Sequence, residues 1–241
     1  MYGLNALALL VLITVQLLAA WLCTCTEATR TRAVRAACLT LLLLTAGRYM
    51  LLPLRGKGFR VPVEYSSIAY FALPVILLNG WKALQSWAAY SGVMAGFFYY
   101  LTMVAVGGPV YQAYPPAEIY LSLYSHATLY FCGLVLLSTN RYPAGDRRKL
   151  IACTACVALW ALLFRPLVAG TERFFIYELL DGALVLRIFP GSLWPVVLPG
   201  YYLVLLGLVL LSIRAFFRLN RIRVRRFAVA QQDVPNIVPA L

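Results

Sequence analysis

About seven runs of mostly apolar residues, each near or above 18 residues long, succeed one another along this chain: Tyr2–Cys23, Ala36–Leu52, Pro62–Asn79, Leu84–Val106, Glu118–Leu137, Leu150–Ala169 and Leu193–Ile213. A helix rising 1.5 Å per residue needs about 20 such residues to cross a hydrocarbon core about 30 Å thick, so each run reads as a membrane span. The second and third runs are the shortest. A closed β-barrel would instead require strands of about ten residues with alternating polarity, whereas these runs are apolar nearly throughout. Composition agrees with that reading, because 63% of the 241 residues are hydrophobic and only 12% are charged, which leaves too little polar surface for a water-soluble skin. The expected architecture is an all-α polytopic bundle of about seven transmembrane helices. It divides into one membrane domain, 1–217, and a basic tail, 218–241.

Arginine placement orients the spans. No basic residue precedes the first run, while Arg30, Arg32 and Arg35 follow it, so the N-terminus is expected outside and uncleaved. Arg141, Arg147, Arg148 and Lys149, and then Arg218, Arg221, Arg223, Arg225 and Arg226, fall on the same inner side when the spans alternate, which puts the C-terminus in the cytoplasm. The net charge of +13 is therefore a rim bordering the spans that meets anionic headgroups, and no nucleic-acid partner is expected. The tail after Phe227 is read as flexible.

One loop breaks the charge rule. Arg55, Lys57 and Arg60, with Gly56 and Gly58 between them, fall in a connection this topology places outside. Two readings stand: tolerated outside charge, or a site where basic side chains and backbone N–H groups converge on a lipid phosphate. The intramembrane polar residues gather toward the same outer half. Arg48 lies near the outer end of the second span, Glu64, Ser66 and Ser67 open the third, Glu118 opens the fifth and Arg165 comes near the outer end of the sixth. Individually these residues can snorkel or pair with one another; collectively they outline an outward-facing polar cavity.

His126, the only histidine, is the deepest of the set, roughly 12 Å along the helix axis from Glu118. A serine needs a base to become a nucleophile, so a Ser66 or Ser67 pair with His126 is the one nucleophile-base constellation available around imidazole. Ser67 shares a helical face with Glu64, and spacing alone does not choose between the serines. Glu118, Ser122 and Ser125 share a stripe that His126 flanks, which would let Ser122 or a water orient its ring. The bland reading of His126 is a neutral imidazole hydrogen-bonded between helices.

The run Pro62-Val63-Glu64-Tyr65-Ser66-Ser67-Ile68, followed about sixty positions later by Tyr124-Ser125-His126, resembles the YwaF family of bacterial integral membrane proteins. Those proteins are relatives of a eukaryotic transmembrane lipid acyltransferase and, more distantly, of the androgen-induced membrane hydrolases. The resemblance runs from Val61 to the end of the seventh span. Pro62 stands at that family's motif proline, Ser66 at its cysteine and His126 at its later histidine, while Glu64 occupies a position the family gives to histidine. It implies a helical bundle in a bacterial cell membrane whose characterised members use a nucleophile and a histidine to cleave or transfer lipid acyl chains. On that reading His126 takes the proton of Ser66 as it attacks a lipid ester, and Arg55, Lys57, Arg60, Arg48 or Arg165 holds the phosphate. The segment Glu172–Phe189 is expected to form an interfacial helix over the cavity.

Competing classes remain open at this point. Glu64, Glu118, His126 and Arg48 are equally suited to moving protons or an anionic solute, and a lipid-recognising scaffold would keep the basic loop without the catalytic pair. Tyr99, Tyr100, Tyr111, Tyr114 and Tyr120 read as an interfacial aromatic belt with no catalytic role. Of the six cysteines, Cys23, Cys25, Cys38, Cys153 and Cys156 lie near inner helix ends and read as small apolar residues or palmitoylation sites, and Cys132 as packing. Cys153 and Cys156 are spaced C-x-x-C but lack ligands on a second element, so no metal and no cofactor is expected. Membrane lipids are the expected partners.

Overall fold

The computed structural model describes residues 2–54, 61–111, 115–168 and 175–232. Nine α-helices form among the described residues: α1 (Tyr2–Thr24), α2 (Glu27–Leu54), α3 (Tyr65–Leu78), α4 (Gln85–Tyr111), α5 (Pro116–Thr139), α6 (Asp146–Val168), α7 (Phe175–Leu180), α8 (Ala183–Leu186) and α9 (Trp194–Gln232). Six of them, α1, α2, α4, α5, α6 and α9, are long and apolar enough to cross a membrane. The chain is an integral membrane protein built as a helical bundle.

The difference from the expected seven spans lies in α3. It has 14 residues, about 21 Å of helix, which is short of a hydrocarbon core of about 30 Å. Pro62 lacks a backbone donor and holds the residue before it out of helical geometry, so the helix opens only after Glu64, whose backbone is extended at φ −67° and ψ 143°. The extended piece is nonetheless packed in. Val63 is almost fully buried against Ala161 and Val168 of α6, and the carbonyl of Pro62 accepts a 2.9 Å hydrogen bond from the Trp160 indole. An unpaired backbone group in apolar surroundings costs several kcal/mol, so irregular backbone at this depth persists only where the protein itself supplies partners.

α5 is the axis of the bundle, with 61% of its apolar window buried, against 17% for α6 and 6% for α9. It packs on α1, α2, α3, α4 and α9. Leu129, Cys132 and Leu137 of α5 join Leu41, Leu73, Ala88, Leu150 and Ile213 from the surrounding helices in one continuous core.

Two expected boundaries move. Of the expected interfacial helix 172–189, the described residues 175–189 do not form one helix: α7 and α8 are separated by Gly182 at φ +66°, a left-handed conformation glycine adopts without steric cost. Residues 218–232, expected in a separate tail, continue α9, which at 39 residues is about 58 Å long, roughly twice the hydrocarbon thickness. The rest of the tail lies outside the described residues.

Candidate functional site in the α3–α5 polar cluster

The site begins with three glycines. Gly92 on α4 faces Gly133 on α5, and one turn along, a Cβ added at Gly96 would meet the Tyr130 side chain and, at 2.9 Å, the His126 carbonyl. One added at Gly92 would lie 2.6 Å from the Leu129 carbonyl, and one at Gly133 2.6 Å from the Val93 amide. The two helices therefore touch backbone to backbone, the close approach that small residues four apart permit in membranes. One turn beyond Gly96, that approach lays the Tyr99 ring flat on the His126 imidazole, with centroids 3.6 Å apart and planes 5° apart. Tyr100, fully buried, donates a 2.6 Å hydrogen bond to the Leu123 carbonyl. Tyr99 and Tyr100 thus serve the bundle interior and leave the expected aromatic belt; Tyr120, 61% exposed, fits it. The Gly92-x-x-x-Gly96 spacing was the available signal, because tyrosines one turn past a glycine contact are drawn inward with it.

His126 is buried and its ring is held from three sides. Nδ1 lies 2.9 Å from the Ser122 carbonyl, 3.5 Å from the Ser122 hydroxyl and 2.8 Å from the Tyr70 hydroxyl, and Nε2 lies 3.0 Å from that same phenol. A carbonyl only accepts, so the arrangement assigns a proton to Nδ1, which donates to Ser122; the Tyr70 oxygen, 2.8 Å from Nδ1 and 3.0 Å from Nε2, straddles the two ring nitrogens. The phenol and imidazole rings meet edge to face, 5.3 Å apart at 81°. The contact from Ser122 at 2.9 Å is made by its backbone carbonyl, with its hydroxyl further off at 3.5 Å.

Ser66 and Ser67 are not hydrogen-bonded to His126; the expected serine-histidine pair is replaced by a tyrosine-histidine pair. Tyr70 lies one turn deeper in α3 than the serines, and its longer side chain fills the gap between α3 and α5. Ser67 does share a small cavity with Tyr70, Arg48 and Ser125, about 20 Å³ in volume, enough for about one water. Arg48 lines it on the α2 side and pairs with Glu118 at 3.8 Å, each side chain about one-third exposed. Arg48, Ser67, Glu118, Ser122 and His126 are therefore brought into one neighbourhood.

Glu64 and Arg165 join a different cluster. Because α3 starts after Glu64, its carboxylate is free of the Ser67 face and accepts the Ile176 amide of α7 at 3.3 Å. Arg165 of α6 makes two 2.7 Å hydrogen bonds to the two carboxylate oxygens of Asp181 and lies 5.2 Å from the centre of the Tyr177 ring. The Tyr177 hydroxyl donates to the Ala161 carbonyl at 2.8 Å. These contacts fasten the α7–α8 segment across α6 and the start of α3. Arg55, Lys57 and Arg60, and the stretch 169–174, lie outside the described residues.

Among the described residues no three His, Cys, Asp or Glu side chains gather as metal ligands, and all six cysteines are free thiols. Cys38 and Cys132 meet in the core with sulfurs 4.0 Å apart. What the cluster offers chemically is a phenol within hydrogen-bond distance of both imidazole nitrogens, one of which is held by a carbonyl. The sequence matches no protein-family profile, no curated protein and no solved structure.

Proposed function

We propose that this membrane protein hydrolyses lipid esters or transfers their acyl chains, using Ser67 as nucleophile, Tyr70 as proton relay and His126 as base. The observation that carries the reading is the chain from the cavity inward: Ser67 and Tyr70 line one water-sized space, Tyr70 meets both ring nitrogens of His126, and the Ser122 carbonyl holds Nδ1. The resemblance of residues 62–68 and 124–126 to the YwaF family supports the same chemistry and a bacterial cell membrane as its setting.

In the proposed step the Ser67 oxygen attacks the ester carbonyl as its proton passes to the Tyr70 oxygen and the Tyr70 proton passes to Nε2. The imidazolium, steadied by Ser122, returns a proton to the leaving alcohol. Water or a lysolipid then resolves the acyl-serine by the reverse relay. Arg48, already lining the cavity, is the cation placed to meet a lipid phosphate.

A second reading is favoured by one observation, the size of the space. At about 20 Å³ it admits a water but no ester, as suits a lipid-binding membrane scaffold in which Tyr70 and His126 merely tie α3 to α5.

Labelling of the detergent-purified protein with a fluorophosphonate probe separates the two. The enzymatic reading expects a labelled wild type, with labelling abolished in Ser67→Ala and His126→Ala and reduced at least tenfold in Tyr70→Phe, a rise of about 1.4 kcal/mol or more in the barrier. Loss in Ser66→Ala with Ser67→Ala intact would move the nucleophile to Ser66. A wild type that is folded and unlabelled overturns the enzymatic reading in favour of the scaffold.

A further inference from the structure

A larger cavity opens at the other end of the bundle, where α2 begins and α3 and α5 finish. Its volume is about 420 Å³, within the range of sites that hold small organic ligands. Its wall is amphipathic. Leu77 of α3 and Val135 of α5 form apolar lining, Gln85 at the start of α4 adds an amide, and Arg30, Arg35 and Glu27 of α2 supply charge.

The charged groups are not equivalent. Arg30 is spent on the end of α1, where one guanidinium nitrogen donates to the Cys23 carbonyl at 3.2 Å and the Cys25 carbonyl at 2.9 Å. That pair of bonds anchors Arg30 and fixes where its charge sits. Arg35, about 1.4 turns further along α2, is exposed and has no ion-pair or hydrogen-bond partner among the described residues. Glu27 brings one negative charge and forms no salt bridge with either arginine among the described residues. The lining therefore carries a net charge of +1, from two guanidinium groups and one carboxylate.

The surroundings add to this balance. Arg32 lies on the adjoining face of α2, and Arg141 directly follows α5 on the same end of the bundle. Guanidinium groups offer paired donors that match the oxygens of a phosphate. Basic clusters at helix ends attract anionic headgroups, and an apolar wall suits the chain attached to such a headgroup.

We propose that this cavity binds a phosphate ester, with Arg35 making the principal contact, Arg30 adding charge and Leu77 and Val135 contacting the apolar part of the ligand. The shared chemistry is a phosphate anion, whether carried by a phospholipid headgroup or by a soluble phosphorylated molecule. The site is separate from the Tyr70–His126 cluster and holds whether or not that cluster is catalytic.

Native mass spectrometry of the full chain from detergent tests it, with added dioleoyl phosphatidylglycerol, dioleoyl phosphatidylcholine or glycerol 3-phosphate as probes. Phosphatidylglycerol is expected to be retained over phosphatidylcholine, and Arg35→Gln to lower retention about tenfold, the size of one lost charge-assisted contact. Glycerol 3-phosphate displacing the lipid at comparable concentration would identify a soluble phosphate ester as the ligand; failure to displace it would identify the lipid. Val135→Trp, which fills the apolar wall, is the second variant and is expected to reduce lipid retention while Arg35 remains. Retention unchanged in Arg35→Gln and Val135→Trp proteins that melt like wild type overturns the proposal.

Discussion

Tyr70 shows how a single side chain redirects a site. In sequence it is one of 16 tyrosines, four residues past Ser66 and three past Ser67, and nothing in the residue itself marks it. Its place is set by length: a phenol one turn deeper in α3 spans to the His126 ring, whereas a serine hydroxyl at that spacing stops at the cavity wall. Gly96 is the other decisive position, because its missing side chain lets α4 lie on α5 and brings Tyr99 onto the imidazole. Gly96→Ala is expected to cost about 1–3 kcal/mol, the range for overpacking a tight contact, since the atoms it meets are backbone and Cβ atoms that cannot swing aside. Thermal melting in detergent checks the magnitude. An unchanged melting temperature would show that α4 and α5 are less closely packed than described.

At the scale of elements, the connections are tied down as firmly as the helices. The link from α5 to α6 is held by Asn220 of α9, which is fully buried. Its amide nitrogen donates to the Leu137 and Asn140 carbonyls at 2.7 Å each, and its oxygen accepts the Tyr142 amide at 3.2 Å. One side chain thus satisfies three backbone groups from another element. Asn220→Leu keeps the volume and strands all three, so a loss of at least about 2 kcal/mol is expected by chemical or thermal unfolding in detergent; a neutral substitution would mean that water replaces the amide. The α7–α8 segment is secured in the same manner by Glu64, Arg165 and Tyr177. Two of the residues assigned to a lipid site from sequence therefore act as fasteners, because α3 starts too late to carry Glu64 on its inner face.

For the whole molecule, charge and hydropathy argue one orientation. The arginines at the start of α2 and of α6 and along the end of α9 are expected on the cytoplasmic side by the positive-inside rule. A green fluorescent protein fused after Leu241 is expected to fluoresce, and an alkaline phosphatase fused there to be inactive. The opposite pair of results would invert the bundle and place the phosphate cavity outside. The two polar regions occupy different ends of α5: Arg48, Glu118 and His126 toward its start, and the Arg30–Arg35 cavity at its finish.

The chain of apolar runs was sufficient to determine that this is an all-helical membrane bundle, since backbone groups in hydrocarbon are satisfied only within helices or closed barrels. It located four of the six spans to within a few residues and the second and last correctly in kind, though not in length, because basic residues that end an apolar run do not end a helix. It also brought out His126 and the Arg48–Glu118 neighbourhood, as rare ionisable residues in apolar runs stand out. What only the tertiary structure decided was which hydroxyl meets His126, which serine lines the cavity, and that Glu64 and Arg165 belong elsewhere. Those outcomes depend on where α3 begins and how closely α4 approaches α5, and such distances arise from packing between segments far apart in the chain.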